Sequence, residues 1–267
     1  MVNVNYQTII REALAGLKSP VRVAVFTSDA HAEDIPHARA VAQELKAASP
    51  KIALEFYDII MDRDKSGEYG VTRVPTFVVE GSGHRKVSFS GKAEGLTLVL
   101  MLDVITALAD GKAWFPEGVA STVNLLQKDV AATVLLENDC TLCKPVAETA
   151  IGLALTNRHV FAEIVVADQY PEILSKHRVK ILPFTIFGSR LTLEGHVGEG
   201  EFLEMIFRAE GEKAAGLDKR CLVCGSASPD VICTSCKSRI QSEAVSHKKK
   251  DEHLNQAGTV VKPRKNT

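Results

Sequence analysis

The feature that most constrains the fold of this chain is an internal repeat of strand and helix patterns. An apolar strand, Val21 to Phe26, leads into a polar loop and a helical pattern that begins near Pro36. Further along, the strand Val130 to Leu136 leads in the same way into a helix that contains Pro145. Each half continues with a second strand, a short helix, an X-Pro pair that opens a third strand, a glycine-marked hairpin and a closing amphipathic helix. The sequence therefore predicts an α/β protein with the order β-α-β-α-β-β-α, used twice.

Composition and charge exclude several other classes of protein. The chain has 32 basic and 33 acidic side chains, a balance that excludes a globally basic nucleic-acid binder. Its longest apolar run, Leu96 to Ala109, is too short for a bilayer and carries Asp103, so we expect no membrane span. The N-terminal segment places Arg11 and Glu12 where a secretory signal would be apolar, which indicates a cytoplasmic protein.

The cysteines fall into pairs. All 6 stand in C-x-x-C motifs, at Cys140/Cys143, Cys221/Cys224 and Cys233/Cys236. Structural disulfides are disfavoured in a reducing compartment, so each pair is interpreted first as redox-active or metal-binding. The first pair directly follows a predicted strand, whereas the other two lie close together near the C-terminus.

The order of these elements, with a C-x-x-C directly after the first strand of the second half and an X-Pro pair opening each third strand, resembles the thioredoxin fold. Two such units joined by a helix resemble the protein disulfide oxidoreductases and the N-terminal domain of the flavoprotein subunit of alkyl hydroperoxide reductase. The residues that carry the resemblance are the helix Tyr6 to Leu17, the Phe89-Ser90-Gly91 turn, the connecting helix near Glu117 to Gln127, Cys140-Thr141-Leu142-Cys143 and Leu182-Pro183. The resemblance implies two tandem thioredoxin-like units with four-stranded mixed sheets, at residues 1–112 and 113–211, of which only the second has the cysteine pair.

The resemblance also implies where the electrons come from. The flavin and nicotinamide domains of the reductase have no counterpart, because no G-x-G-x-x-G motif stands between a strand and a helix. We therefore expect no flavin or nicotinamide on this chain and an external reductase, such as a thioredoxin-reductase-like flavoprotein. The expected partners are the disulfides of client proteins or of a peroxidase.

Position in the chain predicts the chemistry of Cys140 and Cys143. A thiol at the start of a helix lies over unpaired backbone N–H groups and the positive end of the helix dipole, so Cys140 is the expected nucleophile. Cys143 lies one helical turn away and is the expected resolving thiol. The resemblance implies that the Leu182-Pro183 peptide bond is cis and docks an extended substrate, which makes Pro183 part of the catalytic site and Leu182 a substrate-binding residue. An inert or metal-binding pair is the alternative.

The direction of the reaction stays open at this point. Thioredoxins carry a buried carboxylate in the strand before the active site, but Val130 to Leu136 contains none. Glu137 and Asp139 in the following loop oppose a thiolate at Cys140, whereas Lys144 favours one. The leading function is a dithiol/disulfide oxidoreductase acting on client proteins or a peroxidase. The alternative is a non-catalytic adaptor with several binding surfaces, and a glutathione-dependent reaction ranks lower because the motif reads C-T-L-C.

In the first half, His31 and Asp34 stand where Cys140 and Cys143 stand in the second. No disulfide can form there. A His/Asp/Glu metal or acid–base site is one interpretation. The favoured one is a degenerate unit retained as scaffold and substrate-binding surface, with ordinary helix-capping chemistry at this loop.

The sequence changes character after Gly211. Residues 212–220 are typical of a polar linker, and residues 221–238 contain the array C-x2-C-x8-C-x2-C, which resembles a short zinc ribbon. The expected ligands are Cys221, Cys224, Cys233 and Cys236. Gly225 lets the chain turn after the first knuckle so that its amides face the sulfurs. Zinc is the expected structural metal, and two redox dithiols are the alternative. Iron fits the same ligands, and so small a segment should fold only with its metal.

The end of the chain is basic. After Cys236 the sequence has eight Lys/Arg and three Asp/Glu. The favoured interpretation of residues 239–267 is a solvated basic helix followed by a flexible tail. A basic segment beside a zinc ribbon could instead contact RNA or an acidic protein, but it lacks interleaved aromatic residues on which bases would stack.

Overall fold

The computed structural model describes residues 4–211 and 220–258. Its first half follows the predicted order after an N-terminal helix. The elements are α1 (Val4–Leu14), β1 (Val21–Thr27), α2 (Ile35–Ala48), β2 (Ile52–Asp58), α3 (Arg63–Tyr69), β3 (Thr76–Glu80), β4 (Lys86–Ser90) and α4 (Gly95–Asp110).

The second half repeats this order. Its elements are α5 (Glu117–Val123), β5 (Val130–Leu136), α6 (Cys143–Thr156), β6 (Val160–Val166), α7 (Pro171–His177), β7 (Phe184–Phe187), β8 (Leu191–Glu194) and α8 (Glu199–Gly211), followed by α9 (Thr234–Gly258). The predicted α/β fold with two tandem β-α-β-α-β-β-α units is confirmed. Residues 212–219 of the predicted linker and 259–267 of the predicted tail lie outside the described residues.

The two halves form one sheet of 8 strands, in the order β2-β1-β3-β4-β6-β5-β7-β8. Each half contributes a mixed four-stranded portion, and the halves join where β4 pairs with β6 in parallel. The register at this join runs from Val87 opposite Ala162 to Ser90 opposite Val165. The pairing satisfies the backbone groups of two strands that would otherwise be open sheet edges. The two units are therefore fused through their sheets.

The helix α4 accounts for the longest apolar run in the sequence. It packs against α1 of its own half and against α6 of the other half, so most of its surface is covered and apolar. Leu100, Met101 and Ile105 are completely buried, while Asp103 is exposed. In the described part of the chain, no helix combines the length and the apolar character that a membrane span requires.

A polar cluster crosses the join between the halves. Glu163 of β6 forms an ion pair with Arg73, which lies in the loop before β3. Glu163 also accepts a hydrogen bond from the Ser90 hydroxyl at 2.7 Å, and the hydroxyl oxygens of Ser90 and Thr76 lie 2.8 Å apart. Both charged side chains are mostly shielded from water. Charge-assisted hydrogen bonds are stronger than neutral ones, so this cluster holds the two units together.

We expect Glu163→Ala to lower the free energy of unfolding by about 2 kcal/mol, because it leaves the Arg73 guanidinium and the Ser90 hydroxyl without their acceptor. Urea unfolding followed by circular dichroism measures the change. Glu194→Ala, which removes an exposed glutamate of β8, is the matched control and should cost less than about 0.5 kcal/mol. Equal effects of the two variants would show that the cluster does not stabilise the join.

The topology places the two candidate loops on one edge of the sheet. The strands β1 and β4 are both antiparallel to β3, while β6 is parallel to β4 and to β5, so β1 and β5 run in the same direction. Their C-terminal ends open on the same edge, four strand spacings or about 19 Å apart. The loop after β1 carries His31, and the loop after β5 carries Cys140.

Candidate functional site

The redox loop, residues 137–142, connects the end of β5 to the start of α6. Cys140 and Cys143 form a disulfide with 5.4 Å between their Cα atoms. The amide of Cys143 donates to the carbonyl oxygen of Cys140 at 3.3 Å, which closes a turn directly ahead of the helix. Cys143 is completely buried, whereas Cys140 is only half-buried. The structure thus brings together the two cysteines that the spacing paired, and only Cys140 is accessible from outside.

The X-Pro segment of the second half lies beside this loop. Phe184 pairs with Leu135 in the antiparallel β5–β7 ladder, so Pro183 sits next to the end of β5, from which the redox loop leaves. The Leu182-Pro183 peptide bond is cis, as the resemblance implies, and so is Val74-Pro75 in the first half. The carbonyl oxygen of Pro183 accepts a hydrogen bond from Gly195 at 2.7 Å.

Two exposed apolar side chains stand next to site residues in the sequence, and the sequence interpretation did not single them out. Leu142, inside the C-x-x-C motif, is 63% exposed, and Ile181, directly before Leu182, is 56% exposed. Large apolar side chains this exposed beside a reactive group are typical of a docking surface. Their positions could have identified them from the sequence, because Leu142 is adjacent to Cys143 and Ile181 is adjacent to Leu182.

The charges near the disulfide lie at its periphery. Lys144 forms an ion pair with Glu148 one turn further along α6, at 3.7 Å. Glu148 also lies 3.5 Å from the ammonium of Lys248 in α9, while Glu137 and Asp139 are exposed to solvent. The charge of Lys144 is therefore shared with a carboxylate, and water screens the two loop carboxylates.

The corresponding loop of the first half lines a groove of about 450 Å³ that contains His31, Asp34 and Pro75. Asp34 occupies the N-cap position of α2 but makes no capping hydrogen bond, and it lies 3.6 Å from the ammonium of Lys92. Tyr170 of the second half donates to the carbonyl oxygen of Pro75 at 3.3 Å, and burial raises the pKa of its hydroxyl. Within residues 4–211 and 220–258, His31 and Asp34 do not meet a third side chain in metal-binding geometry.

The four C-terminal cysteines assemble into one cluster. The sulfur atoms of Cys221, Cys224, Cys233 and Cys236 all lie within 4.8 Å of one another. Gly225 has a φ of +72°, the left-handed conformation expected after the first knuckle, and its amide donates to the carbonyl oxygen of Cys221 at 2.8 Å. The amide of Cys233 points at the sulfur of Cys221 at 3.3 Å. The predicted double knuckle is present.

This cluster fits a tetrahedral metal ion. A Zn–S bond of about 2.3 Å requires sulfurs about 3.8 Å apart, and the Cys224 and Cys233 sulfurs are separated by 3.7 Å. Hydrogen bonds, first from the Ser226 hydroxyl, lower the pKa of Cys224 to about 6, while burial raises the pKa of Cys236 to about 12. Four thiols at this spacing can hold a metal such as zinc.

The segment that carries the four cysteines is docked on the second thioredoxin-like unit. Glu204 of α8 is 4% exposed, and its carboxylate accepts hydrogen bonds from the amides of Val231 at 3.1 Å and Ile232 at 2.6 Å. Ile232 itself is completely buried in the main core. In the sequence, Glu204 is a charged residue between two apolar neighbours, Leu203 and Met205. This pattern alone indicates a surface residue, because the amides that Glu204 binds are distant in the sequence.

The helix α9 differs from the solvated helix that the sequence suggested. It begins at Thr234, inside the second knuckle, and packs against α5 and α8. Ile240 and Ala244 are each 1% exposed. A Cβ on Gly200 of α8 would lie 2.6 Å from the carbonyl oxygen of Lys237, so a glycine is needed for the helices to approach this closely. Although α9 has few apolar residues, these residues are enough to form one buried face.

Glu204→Ala is expected to lower the free energy of unfolding by about 3 kcal/mol and to weaken metal binding, because two buried amides lose a charged acceptor. Denaturant unfolding and metal competition with a chromophoric chelator measure the two effects. Glu201→Ala is the control on the same helix, since Glu201 is exposed and only approaches Lys237 at 3.9 Å. Unchanged metal affinity in Glu204→Ala would show that docking and metal binding are independent.

The sequence matches no protein-family model and no curated protein. Its structure is similar to solved ones. The NTD_N/C domain of the alkyl hydroperoxide reductase AhpF from Enterococcus faecalis gives a TM-score of 0.69 at 17% identity, over 77% of this chain and 100% of that one. A protein disulfide oxidoreductase from Aeropyrum pernix gives a TM-score of 0.70 at 25% identity, over 79% and 95%. Sso1120 from Sulfolobus solfataricus gives 0.54 at 19% identity, over 71% and 99%.

This chain has a double thioredoxin fold. Its structural neighbours are the N-terminal domain of AhpF and a protein disulfide oxidoreductase, which are the two kinds of protein that the sequence resembles. The fold and the Cys140–Cys143 pair together support the general class of thiol–disulfide oxidoreductases. The cysteine cluster from Cys221 to Cys236 is an addition to this fold that can form a zinc ribbon.

Proposed function

We propose that this protein exchanges disulfides with client proteins through Cys140 and Cys143. The observation that carries the proposal is the asymmetry of the pair, in which a half-buried Cys140 is bonded to a completely buried Cys143 at the start of α6. An external disulfide can reach the first sulfur and not the second. Cys140 is therefore the nucleophile and Cys143 the resolving thiol.

In the reducing direction, the Cys140 thiolate attacks one sulfur of the client disulfide, and the other client sulfur leaves as a thiolate. The Cys143 thiolate then attacks the Cys140 sulfur, which forms the Cys140–Cys143 disulfide and releases the second client thiolate. Two electrons pass to the client, whose thiolates take up two protons. An external dithiol, such as that of a thioredoxin-reductase-like flavoprotein, then reduces the pair again. The reverse sequence oxidises a client.

The client docks against the apolar flank of the pair. Leu182 and the cis peptide at Pro183 offer a backbone edge beside the redox loop, and Leu142 and Ile181 offer exposed apolar contacts. An extended client segment with an apolar residue next to its cysteine fits this surface. The disulfide of a peroxidase is one such client, given the likeness to a domain of AhpF. The compartment that we propose for this exchange is the cytoplasm, where dithiols are kept reduced.

The second part of the proposal is a structural zinc ion held by Cys221, Cys224, Cys233 and Cys236. The support is the spacing of the sulfurs and the knuckle geometry around Gly225. The ion would hold the two knuckles together at the start of α9 and supply no redox chemistry. Iron is distinguished from zinc by elemental analysis and by the absorption of iron thiolates.

Client capture in cells tests the exchange function. Cys143→Ser lacks the resolving thiol, so clients should remain linked to Cys140 and should be released by dithiothreitol. A Cys140→Ser/Cys143→Ser variant is the control and should retain none of them covalently. Partners that bind both variants equally, without a disulfide, would instead favour the adaptor function and would contradict the proposal.

A further inference from the structure

The segment that joins β4 to α4, residues 91–94, contacts the second half. A Cβ on Gly91 would lie 2.8 Å from the Cβ of Val166 at the end of β6. The amide of Lys92 donates to the side-chain oxygen of Gln169 at 2.9 Å. The Phe89-Ser90-Gly91 turn therefore leads the first half directly into contact with loops of the second.

The N-terminus of α4 is capped by the redox loop of the other half. Glu94, at the N-cap position, makes no side-chain capping bond. The amide of Leu96 donates to the carbonyl oxygen of Asn138 at 3.0 Å. The amide and the hydroxyl of Thr97 donate to Asn138 Oδ1 at 3.1 and 2.6 Å. Asn138 thus satisfies backbone donors that a helix otherwise leaves open in its first turn.

Two further features make this contact specific. Thr97 is completely buried, so without Asn138 its hydroxyl would lose its acceptor away from water, which is costly. Gly95 has a φ of +51°, and a Cβ there would lie 2.9 Å from the carbonyl oxygen of Asn138. A glycine therefore lets the redox loop sit directly on the helix end.

We infer that Asn138 is a positioning residue, which holds the redox loop on the N-terminus of α4 and so fixes Cys140. The inference rests on the proposed function and deepens it. Asn138 stands two residues before Cys140, and the turn between them is closed by the amide of Cys140, which donates to the carbonyl oxygen of Glu137 at 3.2 Å. Because α4 belongs to the half without cysteines, that half acts as the support of the redox loop.

The test compares the reactivity of reduced Cys140 in paired variants. In Asn138→Ala the loop loses its anchor, so we expect the alkylation rate of Cys140 at neutral pH and kcat/KM for a small disulfide to fall roughly tenfold, with the midpoint of the alkylation pH profile shifted upward. Asn138→Asp keeps an oxygen acceptor for Thr97, so it should recover most of the alkylation rate at a pH above the midpoints of all the variants, where its added negative charge no longer limits the thiolate fraction. Circular dichroism checks that each variant is folded.

Thr97→Val gives a second route if Asn138→Ala does not fold, because it removes the hydroxyl donor and leaves Asn138 in place. Thr106→Val is its control on the same helix, since the Thr106 hydroxyl bonds only within α4, to the carbonyl oxygen of Leu102 at 2.9 Å. Slower alkylation of Cys140 in Thr97→Val but not in Thr106→Val supports the inference.

A folded Asn138→Ala protein with the wild-type alkylation rate and pH midpoint overturns the inference and leaves the proposed function intact. So does a Thr97→Val protein that matches Thr106→Val. If the wild type shows no disulfide turnover, the proposed function fails instead. The alkylation profiles still decide the positioning role in that case, because alkylation of the reduced thiol needs no client.

Discussion

Replacement of Cys140 by serine is expected to lower the rate of disulfide reduction by about a thousandfold or more, because the covalent route loses its nucleophile. Cys143→Ser should also fail to turn over, for a different reason. Its Cys140 remains half-buried and accessible, so it should still react once with a client or a small disulfide. The mixed disulfide then persists, since no neighbouring thiol can resolve it.

Insulin reduction gives the turnover of each variant, and mass spectrometry of the intact protein under non-reducing conditions detects the adduct on Cys140. Thr106→Val, whose hydroxyl bonds within α4, is the control and should keep wild-type turnover. Turnover that survives in Cys140→Ser, or an adduct found on Cys143 of the wild type, would reverse the assigned roles of the two thiols.

The fold was predictable because each half carries its own periodicity. The apolar strands at Val21 and Val130, the X-Pro pairs and the glycine turns are local signals, and they recur in the same order. The join between β4 and β6 was not predictable in this way, because parallel pairing between distant strands leaves no local pattern. A trace of it exists in Glu163, the one charged residue of the otherwise apolar strand β6, since buried polar groups require partners.

The residues of the candidate sites likewise differ in whether a local sequence pattern predicts them. The Cys140–Cys143 pair and the four-cysteine cluster were predictable from the short spacings between their cysteines. Asn138 and Glu204 do not, because the groups that they bind, around Thr97 and Ile232, are brought to them only by the fold. A single asparagine in a loop or a single glutamate in a helix looks like an ordinary surface residue until the tertiary contact is known.

Removal of the metal ion that we propose at the four cysteines is expected to unfold the segment around them and to loosen α9, while the eight-stranded sheet stays intact. Four neighbouring thiols lose what holds them together, and the Val231 and Ile232 amides then separate from Glu204. Hydrogen exchange should therefore accelerate by roughly a hundredfold or more in residues 220–240. The strands β5 and β6 lie outside this segment and should keep their protection from hydrogen exchange.

The full chain is the right sample for this test, because α9 packs on α5 and α8 of the second thioredoxin-like unit. Elemental analysis should find one metal ion per chain in the wild type and in a Cys140→Ala/Cys143→Ala variant, and less than a tenth of that in Cys233→Ser. Metal lost from the Cys140/Cys143 variant, or retained by Cys233→Ser, would place the ion elsewhere. Simultaneous loss of protection from hydrogen exchange in the sheet would mean that the metal stabilises the whole second thioredoxin-like unit. The docking through Glu204 predicts a local effect, because its carboxylate becomes solvated when the segment leaves and the strands beneath keep all their pairing partners.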